Sequence, residues 1–206
     1  MLHILFAGAN ETTMIKTSEK NIHWDYYLAL ESDIERLARY IEFDESNFDT
    51  HSIELAHLLL ASSSEVDVVM KELCNLISPQ SKAENINDYR GVIKKHLRSI
   101  IEQKVISDRY GLNLSPWSNW RDDNNPDWWQ SYNKVKHERS VHFSKANLKN
   151  VLNSVAGLLV TNIHYNHAKF ISENVGYPYD LRHSVQNLKP CSSLFRFDDP
   201  FLYRME

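Results

Sequence analysis

Four polar side chains lie close together in the stretch from Pro126 to His142, and their types suit chemistry on a phosphodiester. If residues 127–139 form a helix, Asn133, Lys136 and His137 fall on one side of it and Arg139 lies at the edge. An imidazole can give or take a proton near neutral pH, and cationic side chains can balance charge on phosphate oxygens. The amide of Asn133 can orient the imidazole or a substrate oxygen. We therefore treat these four residues as the candidate catalytic set.

RNA is the phosphodiester that fits this set best, because its ribose supplies the nucleophile as the 2′-OH. We therefore expect neither a metal nor another cofactor. Trp129 and Tyr132 belong to the same predicted helix and are assigned supporting roles, the tryptophans being expected to stack on bases. A structural interpretation stays open beside this one. Basic residues near a helix C-terminus also complement the helix dipole, and paired tryptophans often anchor a core.

Two carboxylates of the second predicted helix, Glu65 and Asp67, are the natural counter-charges for Lys136 or Arg139. They follow a run of small polar residues, 62–64, which predicts close approach of a neighbouring helix and places both carboxylates near the interior. A buried carboxylate needs a partner. We expect a structural ion pair between the second and fourth helices more than a catalytic carboxylate.

Two other patterns resemble metal sites but are weaker. Glu54 and His57 have the E-x-x-H spacing of helical di-iron sites, without a second E-x-x-H or two further carboxylates. His164 and His167 are three residues apart and share a helix face, as expected by chance among ten histidines. We therefore predict no metal site. The chain also contains no P-loop, no GxGxxG and no GxSxG motif.

Composition limits the class of protein. The 206 residues carry a net charge of −4, so no global basic field indicates nucleic-acid binding, although a local basic patch is allowed. Cys74 and Cys191 cannot form a zinc-ribbon or disulfide framework, which favours a reducing compartment. No run is long enough for a transmembrane helix, and the N-terminus is a poor signal peptide. We expect a cytoplasmic protein with no membrane association.

The hydrophobic periodicity predicts a mainly α fold, a bundle of about five helices with a small β-like hairpin. In the first helix Trp24, Tyr27 and Ile34 lie on the apolar stripe, whereas Glu31 and most other charged residues fall on the remaining faces. We predict an N-terminal extension (1–21), a helical domain (22–175) and an irregular C-terminal tail packed on it (176–206). The predicted helices are 22–41, 50–77 with Thr50 or Ser52 as the cap, 88–102, a fourth begun by Asn125 and Pro126 and reaching about 140, and 145–171 capped by Ser144, with the hairpin at 105–114.

Two stretches carry a resemblance to a known family. One is the end of the second predicted helix, SEVDVV (64–69), and the other is WQSYNKVKHER (129–139), followed by the apolar helix that starts FSKANL (143–148). With the layout of residues 24–171, they make the chain resemble the HEPN superfamily, which is common in prokaryotic toxins, CRISPR effectors and phage-defence proteins. It looks especially like uncharacterised bacterial proteins with a YNxVKHxR signature. The resemblance implies a helical bundle, a homodimer and, for active members, metal-independent RNA cleavage at the dimer interface.

The chain departs from the active-site pattern of that family, in which four to six residues separate an Arg from the His that follows it. Tyr132 stands where the Arg would precede His137. Arg139, after the histidine, is the residue we expect to replace it. The spacing does occur between Arg90 and His96, at a frequency expected by chance.

Two functions of different classes follow. The first is a ribonuclease-type effector in bacterial phage defence or toxin–antitoxin biology, which acts on RNA. The second is a non-catalytic helical module that dimerises or binds a defence-system protein, with the polar residues forming a structural network.

Overall fold

A computed structural model describes residues 20–174 and 180–203 of the chain. These residues form seven α-helices and one three-stranded antiparallel sheet, which confirms the predicted mainly α fold. Most of the predicted N-terminal extension and residues 175–179 and 204–206 lie outside the described residues. The helices are α1 (Ile22–Leu37), α2 (Ile53–Ile77), α3 (Ile86–His96), α4 (Ser99–Glu102), α5 (Asp127–His142), α6 (Leu148–Glu173) and α7 (Leu181–Asn187), and the strands are β1 (Val105–Ser107), β2 (Leu112–Leu114) and β3 (Arg196–Phe197).

The two longest helices, α2 and α6, form the centre of the described fold. They make the most extensive helix–helix contact in this part of the chain, because both are apolar around most of their circumference. Small side chains let them approach closely, as the serine run predicted. The buried hydroxyls of Ser62 and Ser154 are hydrogen-bonded to each other at 2.6 Å, and each oxygen also lies within 3 Å of a carbonyl oxygen of its own helix. No helix in the described ranges is long and apolar enough to cross a bilayer.

Helix boundaries depend on caps that the periodicity located only in part. Ser52 caps α2 through a 3.1 Å bond from the amide of Leu55, as predicted. The cap of α6 is Asn147 and not Ser144, because the Asn147 side chain accepts from the amide of Asn150 at 3.1 Å. The helix predicted at 88–102 is two helices, α3 and α4. They are separated at residue 97, where the backbone leaves the helical region with φ −146° and ψ 52°.

The start of α5 also differs from the prediction. Pro126, and not Asn125, occupies the N-cap position, and its backbone is extended (ψ 143°). The Asn125 side chain is used elsewhere, since its Oδ1 accepts from Arg90 at 3.0 Å. Arg90, the arginine of the Arg90–His96 match, therefore makes structural contacts, and its Nε also lies 3.9 Å from Asp123.

The predicted hairpin is present as β1 and β2, joined by a turn in which Gly111 has φ +62°. The tail beyond it is more ordered than predicted. Residues 181–187 form α7, and β3 adds to the sheet with Phe197 opposite Val105. The prediction of an irregular tail is wrong for these residues. Buried side chains of the tail, such as Leu194 and Phe195, join the hydrophobic core.

A buried carboxylate of α1 fixes this tail. Glu31, expected on an exposed face, is only 2% exposed. It accepts from the backbone amides of Ser193 and Leu194, both at 3.1 Å, and from the Tyr27 hydroxyl at 2.8 Å. The hydroxyl of Ser192 donates to the same carboxylate. Burial and this carboxylate raise the pKa of Tyr27 well above its ordinary value.

Candidate functional site

The buried face of α5 consists of the aromatic residues that were expected to contact bases. Trp128 and Trp129 are 2% and 6% exposed, and the Trp128 indole donates to the carbonyl of Pro116 at 2.8 Å. Tyr132 is also buried and lies against the Trp129 ring. Gly157 of α6 lets the Trp128 ring come close, since an added Cβ would lie 3.2 Å from it. These rings anchor α5 to the core, so the expectation that the tryptophans stack on bases is wrong for this structure.

The polar face of α5 is exposed but does not form one network. The Asn133 amide donates to the Trp129 carbonyl at 3.2 Å, and its side chain forms no hydrogen bond with His137 or another described imidazole. Lys136 is exposed, with its ammonium 5.4 Å from the centre of the Tyr132 ring. His137 is also exposed and forms no hydrogen bond or ion pair with another described residue.

A break in α5 separates His137 from Arg139. Between them Glu138 has φ −137° and ψ 48°, which is outside the helical region. The Glu138 carboxylate lies 3.3 Å from Nε2 of His142, one turn further on. The chain offers neither Pro nor Gly as a cause, and nothing in the structure explains the break. The four predicted residues therefore do not share one continuous helix face.

Beyond the break, Arg139 borders a surface groove between α2 and the end of α5. The groove has a volume of about 370 Å³ and is also lined by Ile53, Ala56, His57 and Phe143. His57 and Arg139 are both exposed there. Arg139 thus lies near His57 of another helix, a residue of the E-x-x-H pattern that chance explains.

Glu65 does not pair with Lys136 or Arg139, so this part of the prediction is wrong. Its carboxylate lies 2.6 Å from Nδ1 of His23 on α1, and Glu72 lies 3.3 Å from Nε2 of the same ring. The partner of Glu65 thus lies on the first helix and not on the fourth. Periodicity could not show this, because it does not specify which helix lies beside α2.

Asp67 is half-buried and lies beside Tyr89 of α3. Burial, with the Asp67 charge as a smaller cause, raises the pKa of the Tyr89 hydroxyl above its ordinary value. Among the described residues Asp67 has no ion pair with a residue of α5. Both predicted supporting carboxylates are thus engaged away from the candidate site.

The structure places the histidines of the two weaker metal-like patterns, His57 and His164, in different surroundings. Nδ1 of His57 lies 3.8 Å from Glu54, and both side chains are exposed. His164 is buried against Phe197, and desolvation lowers its pKa to about 3. In residues 20–174 and 180–203, no three His, Cys, Asp or Glu side chains come together in a metal-binding arrangement.

Charge is distributed unevenly along the chain. Residues 127–149 carry five Lys or Arg side chains and two carboxylates, whereas the whole chain has a net charge of −4. None of the five cations forms an ion pair with another described residue, and three of them lie in the exposed half of α5: Lys134, Lys136 and Arg139. This is the local basic patch that the composition allowed, and it can attract an anion.

Comparison with protein-family models, with curated proteins and with solved structures finds no match to this chain. The assignment to the HEPN superfamily therefore stays a prediction from the residues.

Proposed function

We propose that this chain is a HEPN-like cytoplasmic protein that binds RNA through the exposed half of α5 and cleaves it without a metal. One observation carries the proposal. Lys136, His137 and Arg139 all face solvent, and no carboxylate in the described part of the chain neutralises the two cations. Exposed cations without a counter-charge are suited to an external phosphate backbone.

In this proposal the ribose 2′-OH is the nucleophile and His137 moves protons. The 2′-oxygen bonds to phosphorus and the P–O5′ bond breaks. As a base, His137 takes the 2′-OH proton while water protonates the leaving 5′-oxygen; as an acid, His137 protonates the 5′-oxygen while water accepts the 2′-OH proton. Lys136 and Arg139 balance the charge that builds on the phosphate oxygens. Because the break at Glu138 separates His137 from Arg139, a homodimer is part of the proposal. The His137 of one copy and the Arg139 of the other would then act on one phosphate.

Purified protein and a labelled single-stranded RNA in EDTA test this function. Wild type is expected to cleave, and His137→Ala is expected to lose at least about 100-fold in rate, the usual contribution of a general acid or base. His96→Ala removes an exposed histidine at the end of α3 and is the matched control. Equal rates for wild type and His137→Ala would contradict the proposed role of His137.

A second candidate function is a non-catalytic module that dimerises or binds a defence-system protein. It is favoured by exposed apolar side chains beside the same surface, since Val141 is 71% exposed and Ile53 64% exposed. Val141→Asp is expected to weaken such an association, measured by light scattering on the purified protein. Association that is unchanged in this variant would contradict the candidate interface. A role in phage defence or toxin–antitoxin biology belongs to both candidates.

A further inference from the structure

His57 stands between two surface grooves of different chemistry. The first is the groove of about 370 Å³ that contains Arg139. The second, of about 420 Å³, lies between α1 and α2 and is also lined by His57. Each volume is in the range of small-ligand pockets. His57 is the one described side chain that lines both grooves.

The first groove suits an anion. Its one charged side chain among the described residues is Arg139, which has no carboxylate partner in this part of the chain. His57 contacts Glu54 weakly through Nδ1, at 3.8 Å, while its Nε2 forms no hydrogen bond with a described residue. A guanidinium and an imidazole nitrogen can both donate to phosphate oxygens.

The second groove has the opposite character. It contains the carboxylates of Asp33 and Glu54, and its arginine, Arg36, is engaged by Asp33 at 3.0 Å. Carboxylates repel a phosphate but accept hydrogen bonds from an exocyclic amino group of a base. Tyr40 borders the groove and is 82% exposed, which leaves its ring available for stacking.

We propose that these two grooves bind one nucleotide of a single-stranded RNA, with its phosphate against Arg139 and His57 and an amino-bearing base against Tyr40. This inference rests on the proposed function for the source of the nucleotide, and it adds His57 and Tyr40 as contacts that the α5 set does not contain. The carboxylates of the second groove set the direction of the nucleotide, and they favour cytosine over uracil, which has a carbonyl in place of the amino group.

The inference is tested by titrating the protein and monitoring the NMR signals of the His57 ring and the Arg139 side chain. The four ligands are cytidine 5′-monophosphate, uridine 5′-monophosphate, cytidine and inorganic phosphate. We expect cytidine monophosphate to shift both signals and to bind more tightly than cytidine or phosphate alone. It should bind about fivefold more tightly than uridine monophosphate, as for one exposed hydrogen bond. His57→Ala, Arg139→Ala and Tyr40→Ala should each weaken it by about fivefold or more, whereas His96→Ala should not.

Three results would overturn the inference. They are no shift of the two signals, equal binding of cytidine monophosphate and phosphate, and unchanged binding in His57→Ala. Nucleotide binding and RNA cleavage are measured separately, so their failures can be distinguished. Nucleotide binding without cleavage refutes the proposed function alone, and cleavage without nucleotide binding at these residues refutes this inference alone.

Discussion

The buried imidazole of His164 should make the protein sensitive to mild acid. His164 is 2% exposed, lies against Phe197 and has no hydrogen-bond partner for either ring nitrogen among the described residues. Burial first, and the nearby His167 second, lower its pKa from 6.5 to about 3. Because the folded state binds this proton less readily than the unfolded state, stability is lost as the pH falls below about 6.5. Between pH 7.5 and pH 5.0 the loss from this one group is about 2 kcal/mol.

Urea unfolding of wild type and His164→Leu at pH 7.5 and pH 5.0 measures the contribution of His164 to this loss of stability. The free energy of unfolding of wild type should fall by about 2 kcal/mol more than that of the variant over this interval. His167 titrates in both proteins, so its own contribution largely cancels in the difference. His96→Gln, at an exposed position, is the matched control for the removal of one histidine. An identical pH dependence in wild type and His164→Leu would refute the assignment of this buried neutral imidazole.

Three further predictions concern the fold that positions the candidate site. Glu31→Gln should lower the free energy of unfolding by about 2 kcal/mol and speed deuterium exchange in the C-terminal segment that Glu31 binds; unchanged exchange would contradict this. Ser62→Leu should cost about 2 kcal/mol or more by separating α2 from α6, whereas Ser64→Leu on the exposed side should cost little, as urea unfolding can show. Gly111→Ala should cost about 1 kcal/mol because of its positive φ, whereas Gly91→Ala, inside α3, should stabilise by up to about 1 kcal/mol. Thermal or urea unfolding of the two glycine variants with the same sign of change would contradict that account.

The helices could be predicted because their signals are local. The apolar spacing of α2 and α6, the Ser52 cap and the turn at Gly111 depend on neighbours within a few residues along the chain. Glu31 shows where such reasoning stops. Its position on α1 looks like an exposed one, and only the return of residues 192–194 makes it a buried acceptor. A tertiary partner of this kind leaves no periodic signal.

The candidate site was predictable only as a set of residue types. The spacing of Asn133, Lys136 and His137 correctly placed polar groups outside the core, but it assumed an unbroken helix through Arg139. No Pro or Gly lies within residues 127–142, so the sequence does not predict the break at Glu138. Arg139, which follows the break, borders the groove that contains His57, a neighbour 82 positions away in the sequence. The partner of a charged side chain depends on contacts between helices, and the spacing along one helix does not predict those contacts.

The central claim is that the exposed half of α5 acts on RNA, and expression in a bacterial host tests it most directly. Wild type, His137→Ala and the control His96→Ala are induced to equal levels, and growth and the integrity of total RNA are followed. The proposed function predicts arrested growth and degraded RNA with wild type and His96→Ala, and normal growth with intact RNA for His137→Ala. Intact RNA in all three cultures, or equal degradation with wild type and His137→Ala, would contradict it.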